Sequence, residues 1–424
     1  MSTNGPVEGK ERNLRERDFF LLWAGAAIAL SEIWAGGMLV PFGLLAGLGL
    51  ILLGHVLGGT PMAMGGMIGS RHGVPSMVSM RGALGNRGSA LPAVLNVVQL
   101  VGWTAVMLWI GGQAAVGVAS ESAIGAKGWI ILLGVLTTLW ALAGSRLWKR
   151  LQQVGVVLLL FLSVVMTVLT LKTYGIRELL AVSSTSDMSF MLGLDLVIAM
   201  PISWMPLVSD YTRYAAVPGR GIRGTWWGYF VVSSWMYAVG LCIAVATRSP
   251  APESTLLKLL GEHSLLIPAL LIVLLSTLTT TFLDIYSNAV SAQSLFPKWG
   301  TRPLVLLGGV AGTLIALFFD ATRYEGFLLL IGSAFCPLFG VVLVDYFILK
   351  KGHYEARDLY QRGRYWYRSG VNPRAMAAWI IGLGLYQLCA RTGFVGGSSI
   401  PSMAASALLY FVFMKLPNSS KGTV

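Results

Sequence analysis

Twelve apolar stretches, each close to the length of a bilayer-crossing helix, follow one another along this chain with only short polar connections between them. They lie at about 19–40, 43–69, 91–119, 128–145, 151–173, 188–209, 225–247, 264–290, 303–319, 326–349, 375–392 and 399–415. Crossing ~30 Å of hydrocarbon takes ~20 helical residues. The expectation is an all-α polytopic membrane protein with twelve transmembrane helices. Composition agrees, since 55% of the 424 residues are hydrophobic, 12% are charged and the mean hydropathy is +0.71. The connections leave no room for a separate soluble domain. The first apolar run is too long for a secretory signal, and no cleavage pattern follows it.

Two stretches carry residues that a plain lipid-facing helix does not use. The first holds Ser31-Glu32-Ile33-Trp34-Ala35-Gly36-Gly37 at mid-depth. The sixth holds Ala199-Met200-Pro201-Ile202-Ser203-Trp204-Met205-Pro206 at similar depth. Breaks at these positions are expected, because an interrupted helix offers backbone carbonyls and half-helix ends to a substrate or an ion. The breaks open two sets of five spans, 19–173 and 188–349. Five is odd, so the second set enters from the opposite side, as inverted repeats do. Spans 11 and 12 (375–415) stand outside the repeats, with tails at 1–18 and 416–424.

The formal charge is +13, yet the basic residues do not form one nucleic-acid-binding face. With the N-terminus inside, cytoplasmic segments hold 24 of the 31 lysines and arginines, seven of them in 350–374. This asymmetry fits the positive-inside rule and puts both termini in the cytoplasm. The basic 350–374 loop reads as a solvated topogenic segment. Cys242, Cys336 and Cys389 all fall inside spans and form no disulfide framework. His55, His72, His263 and His353 lack metal-ligand spacing, and no nucleophile elbow, P-loop or zinc signature occurs. Neither an enzyme nor an ATP-driven machine is expected. No obligate protein partner is evident, and the partners are the bilayer, a small molecule and a coupling cation.

Span 8 carries Ser276, Thr279 and Thr280 at i, i+3, i+4, hence on one helical face. Three hydroxyls there suit a hard monovalent cation, with carbonyls freed in span 1 completing the ligands. The competing reading is that they bond to the preceding turn of their own helix. Glu32 and Asp284 are ionisable groups at membrane depth, where such groups face a cavity or a partner. Either could accept N–H groups of a heterocycle, or carry a proton. Asp195 is a third candidate nearer the outer surface. Trp34, Trp103 and Trp204, with Gln99 one turn before Trp103, could hold a flat heteroaromatic ring and read its polar edge.

Five motifs in order carry a family resemblance: Trp34-Ala35-Gly36-Gly37, the loop Arg81–Ser89, the stretch Gln99–Trp103, Asp210-Tyr211-Thr212-Arg213-Tyr214, and Pro337–Phe347. Together they resemble nucleobase:cation symporter family 1, which includes cytosine permeases and hydantoin transporters, over nearly the whole chain. The flavour is most similar to the hydroxymethylpyrimidine permease branch (CytX type). The resemblance implies a leucine-transporter-like 5+5 fold with two added helices, and secondary active uptake without a cofactor. It implies a Na⁺ site at the backbone carbonyls of Ile28 and Ser31 with Ser276, Thr279 and Thr280, a substrate-stacking Trp103, a polar contact at Glu32 and an aromatic at Trp204. Relatives' span 3 Gln is Met107 here, and Thr281 and Asp284 stand where several place Asn. The implied activity is import of a small aminopyrimidine, hydroxymethylpyrimidine, driven by Na⁺. A proton-coupled cytosine or purine permease is the alternative.

Overall fold

In the computed structural model the described residues are 5–119, 124–143, 145–185, 188–249 and 265–417, with 252, 255 and 259–261 between the last two stretches. His263, the first residue of the expected eighth span and the end of the C-terminal tail lie outside them.

The long elements are all helices: α1 (Glu16–Ala27), α2 (Leu30–Gly37), α3 (Gly43–His72), α4 (Ala90–Val118), α5 (Ala126–Leu142), α6 (Ser145–Tyr174), α7 (Phe190–Trp204), α8 (Val208–Thr212), α9 (Pro218–Thr247), α10 (Leu266–Leu295), α11 (Thr301–Ala316), α12 (Tyr324–Leu343), α13 (Pro373–Thr392) and α14 (Ser399–Lys415). Helix α12 runs on into a wider π-helical turn, Val344–Leu349. Among the described residues seven helical segments are long and apolar enough to cross a bilayer, and the bent pair α1–α2 makes an eighth. Helices α5, α11 and α14 are apolar but shorter.

Polarity is arranged as lipid demands. Leu45, Val98, Phe161, Ile267, Phe318 and Leu330 are exposed, while Glu32, His55, Asn96, Gln99, Asp195 and Asp284 are buried. Polar side chains gain partners only by turning inward, because hydrocarbon offers none.

The first expected break is displaced, and the second falls at the end of its expected stretch. In the first span the chain leaves helical geometry at Ile28–Ala29, with Ala29 extended at φ −127°, and bends by 59°. Ser31–Gly37 is helical, not broken. Its glycine pair serves close packing: a Cβ on Gly36 would overlap the carbonyl of Tyr237, and one on Gly240 would overlap the carbonyl of Ile33. Backbones of α2 and α9 therefore touch at both positions. In the sixth span, helix persists through Pro201 to Trp204 and is interrupted only at Met205–Leu207. Prolines act on the turn before them, and Pro206 sits in the turn that separates α7 from α8.

A second glycine stripe sets the position of α7. Gly54 and Gly58 of α3 meet Val197 and Pro201, and Gly65 and Gly69 meet Met205 and Ser209. Residue numbers rise together on both sides, so α3 and α7–α8 run in the same direction. Helices α4 and α10 run oppositely: Asn288 Nδ2 donates to the Val97 carbonyl (2.9 Å), Asn96 Nδ2 to Ser291 Oγ (2.7 Å), and Gly111 lies against Thr277.

Candidate functional site

The antiparallel register of α4 on α10 brings several sequence candidates to one depth. Asp284 lies one turn from Asn288 toward Thr277, hence level with Gly102 and Trp103. Gln99 sits one turn earlier on the same face of α4. Its Nε2 donates to Asn96 Oδ1 and to the Ser203 carbonyl, both at 2.8 Å. Gln99 thus ties α4 to the end of α7, next to Trp204. Gln99 Oε1, Trp103 Nε1 and Asp284 Oδ2 are buried with no hydrogen-bonding partner in the protein. Buried polar atoms are nearly always paired, so three orphans within one helical turn in depth fit a polar ligand that completes them.

The aromatic candidates fall into two groups. Trp34 stacks on Tyr324 (4.3 Å between centroids, 12° between planes), and Tyr324 meets the edge of Trp103 at 6.2 Å. Phe327 flanks Trp103 at 5.2 Å. Trp204 instead packs edge-on against Trp23 (5.7 Å) and Tyr229 (6.4 Å). Gln99 bridges the two groups.

Glu32 is held inside the protein. Its Oε1 accepts the Tyr229 hydroxyl and its Oε2 the Ser233 hydroxyl, each at 2.8 Å. Residues 229 and 233 are one turn apart on α9, so they present two donors side by side. Trp204 Nε1 donates to the same Tyr229 hydroxyl (3.0 Å), which connects the Glu32 carboxyl to the Trp204 group. Sequence reasoning missed Tyr229, Ser233 and Tyr324. His55, an ionisable residue at mid-span, was the available signal on α3.

At the expected cation site the three hydroxyls divide. Thr279 Oγ1 donates to the Leu275 carbonyl of its own helix at 2.7 Å, and Ser276 Oγ to the Val273 carbonyl at 3.4 Å. Thr280 Oγ1 alone reaches across, to the Ala26 carbonyl of α1 at 3.3 Å, two residues before Ile28. Ser31 turns its carbonyl to the Tyr324 hydroxyl of α12 (3.1 Å). Among the described residues no cluster of His, Cys, Asp or Glu could hold a metal ion.

Asp195 also leaves the candidate list. Its two oxygens accept the backbone N–H groups of Ser398 (2.7 Å) and Ser399 (2.9 Å) at the start of α14. That is a capping interaction supplied by another helix. An apolar groove of about 310 Å³ between α3 and α9, lined by Met64, Met67, Trp226 and Trp227, is separate from Gln99 and Trp103.

Comparison with known proteins agrees with this architecture. The sequence model of a family described as permease for cytosine/purines, uracil, thiamine, allantoin matches residues 6–412. The chain is 24% identical to the hydantoin permease of Microbacterium maritypicum, covering 97% of this chain and 88% of that protein. It is 24% identical to the cytosine permease of Escherichia coli K12, covering 83% and 82%. Its fold superposes on Mhp1, a nucleobase-cation-symport-1 family transporter closed with bromovinylhydantoin bound, with TM-score 0.86 and 21% identity over 98% of this chain and 95% of that one. A Na⁺-coupled sialic acid symporter matches with TM-score 0.66 and 11% identity over 94% and 90%. The helical membrane fold, the ordered motifs and the match over nearly the full chain agree: the protein is a multi-pass permease, not an enzyme, and belongs to the cytosine/purine, uracil, thiamine and allantoin permease family.

Proposed function

We propose that this protein is a secondary active symporter that imports a small aminopyrimidine, with hydroxymethylpyrimidine as the substrate, across the inner (plasma) membrane. The observation that carries this reading is the orphan set Gln99 Oε1, Trp103 Nε1 and Asp284 Oδ2. An aminopyrimidine offers an exocyclic amine to the two oxygens and a ring nitrogen to the indole N–H. The Trp103 and Trp204 groups flank the ring. Glu32 supplies a further polar contact, since each of its oxygens accepts one hydrogen bond within the protein and keeps a second acceptor position.

In this reading the chain has twelve spans in a 5+5 inverted repeat plus two, with spans 1 and 6 broken and both termini cytoplasmic. Alternating access rocks spans 1, 2, 6 and 7 against spans 3, 4, 8 and 9. Na⁺ is the coupling ion, held by the backbone carbonyls of Ile28 and Ser31 with Ser276, Thr279 and Thr280. The Thr280–Ala26 contact supports this, since it brings the hydroxyl face of α10 to the bend of span 1. A second reading, a proton-coupled cytosine or purine permease, draws on the self-bonded hydroxyls of Ser276 and Thr279.

The test is uptake of labelled hydroxymethylpyrimidine into proteoliposomes under an inward Na⁺ gradient, then under an inward proton gradient alone. Accumulation with Na⁺ is expected. Accumulation with the proton gradient alone moves coupling away from the α10 hydroxyls. Folded protein that accumulates cytosine and not hydroxymethylpyrimidine overturns the substrate.

A further inference from the structure

His55 lies at the middle of α3 with no exposed surface and has no part in the reading above. Its Nδ1 is 2.8 Å from the Ile51 carbonyl, and its Nε2 is 2.5 Å from Ser233 Oγ. A carbonyl has no proton to give, so Nδ1 carries one. Ser233 Oγ is also 2.8 Å from Glu32 Oε2. The serine has a single hydroxyl proton for two neighbours. If it donates to a Glu32 carboxylate, His55 Nε2 must donate to Ser233, and the imidazole is then protonated on both nitrogens. With a neutral His55 and an ionised Glu32, two acceptors face one proton and one of the two contacts is lost. The arrangement with both contacts present therefore holds one proton more than that unloaded form.

We propose that His55 is a proton-carrying site of the transport cycle, loaded in this conformation, with Glu32 as its counter-charge through Ser233. The other groups facing the pair are few. Tyr229 and Tyr237 come from α9, the latter edge-on to the imidazole at 4.9 Å. Tyr324 of α12 bonds to the carbonyl next to Glu32. Asp195 of α7 is committed to Ser398 and Ser399, and Asp284 of α10 shares no hydrogen bond with either residue. No Lys or Arg among the described residues pairs with Glu32.

The triad joins α2, α3 and α9, three elements on the moving side of the proposed cycle. Loading ties them together, and loss of the proton releases the Ser233 link between α3 and α9. Tyr229 bonds to both Glu32 and Trp204, so the proton state reaches the candidate substrate site through one side chain. The inference rests on the symporter reading only for the meaning of the proton, because the protonation itself is measurable without substrate.

The experiment is ¹⁵N-histidine NMR of the full chain in lipid nanodiscs near pH 6, with the His55 signal assigned by its loss in His55→Gln. An imidazolium signature at His55 that becomes a neutral Nδ1–H signature in Glu32→Gln is expected. Ser233→Ala, which keeps both charged partners and removes only the bridge, is expected to give the same change. A neutral His55 that neither substitution alters overturns the proposal. In proteoliposomes with an inward Na⁺ gradient, the parent is expected to gain hydroxymethylpyrimidine uptake when an inward proton gradient is added, and this added gain is expected to disappear in His55→Gln; a parent with no added gain overturns the transport role. An undiminished gain overturns the transport role. If the parent carries no hydroxymethylpyrimidine, the substrate reading fails while the NMR result still decides the proton site.

Discussion

Thr280 donates its hydroxyl to the Ala26 carbonyl at 3.3 Å, which links the hydroxyl face of α10 to the bent first span. A Na⁺ ion bound by the Ile28 carbonyl and the α10 hydroxyls would take the Thr280 oxygen as a ligand in place of that hydrogen bond. Thr280→Ala is expected to raise the Na⁺ concentration giving half-maximal uptake by on the order of tenfold, or ~1.4 kcal/mol. The same bond contributes about 1 kcal/mol to stability, so the variant should still fold. Sodium titrations of uptake check this, and superimposable curves for variant and parent would remove Thr280 from the cation site.

Trp103→Phe separates ligand binding from folding. The Trp103 indole N–H has no partner in the protein, so its removal leaves no other group unpaired. The smaller phenyl ring keeps an aromatic contact with Phe327 and Tyr324. Substrate affinity is expected to fall about tenfold, with the melting temperature nearly unchanged. Isothermal binding and a thermal melt on one preparation check both halves.

Gly240→Val is expected to destabilise the protein by ~1–3 kcal/mol or more, because the added atoms must displace the Ile33 carbonyl where α2 meets α9. Gly49→Ala is the contrast. A Cβ there meets nothing within 4 Å, and alanine is the better helix former by up to ~1 kcal/mol. Thermal melts of the two variants should move in opposite directions.

Asp195→Ala removes the acceptor for two N–H groups at the start of α14. A loss of ~1–2 kcal/mol in stability is expected, as for removal of a helix cap, with substrate affinity retained. Weaker substrate binding at unchanged stability would instead return Asp195 to the binding site.

The order of elements was legible in the chain because lipid imposes length and apolarity on any helix that crosses it. The eighth apolar stretch, the α10 hydroxyls and the Gln99–Trp103 turn could be placed on faces by helical spacing alone. The breaks were legible as regions but not as positions. Gly36 and Gly37 look like helix breakers in one dimension, yet they are contact points against Tyr237 and Pro252, and the bend falls at Ile28–Ala29. Pro201 is accommodated within α7, whereas the turn at Met205–Leu207 makes the interruption.

By itself the sequence determined that this is a helical membrane permease and which residue types stand at mid-depth, since hydropathy, charge asymmetry and motif order are properties of the linear chain. Only the tertiary structure decided the partners of each buried polar group. It gave Asp195 to the start of α14, Ser31 to Tyr324, and Glu32 to Tyr229 and Ser233. It also brought His55 within reach of Ser233, from which it is separated by 178 residues. The physical reason is that a hydrogen bond is set by distance and direction between side chains, and for residues on different helices those are fixed by packing, which helical periodicity does not encode.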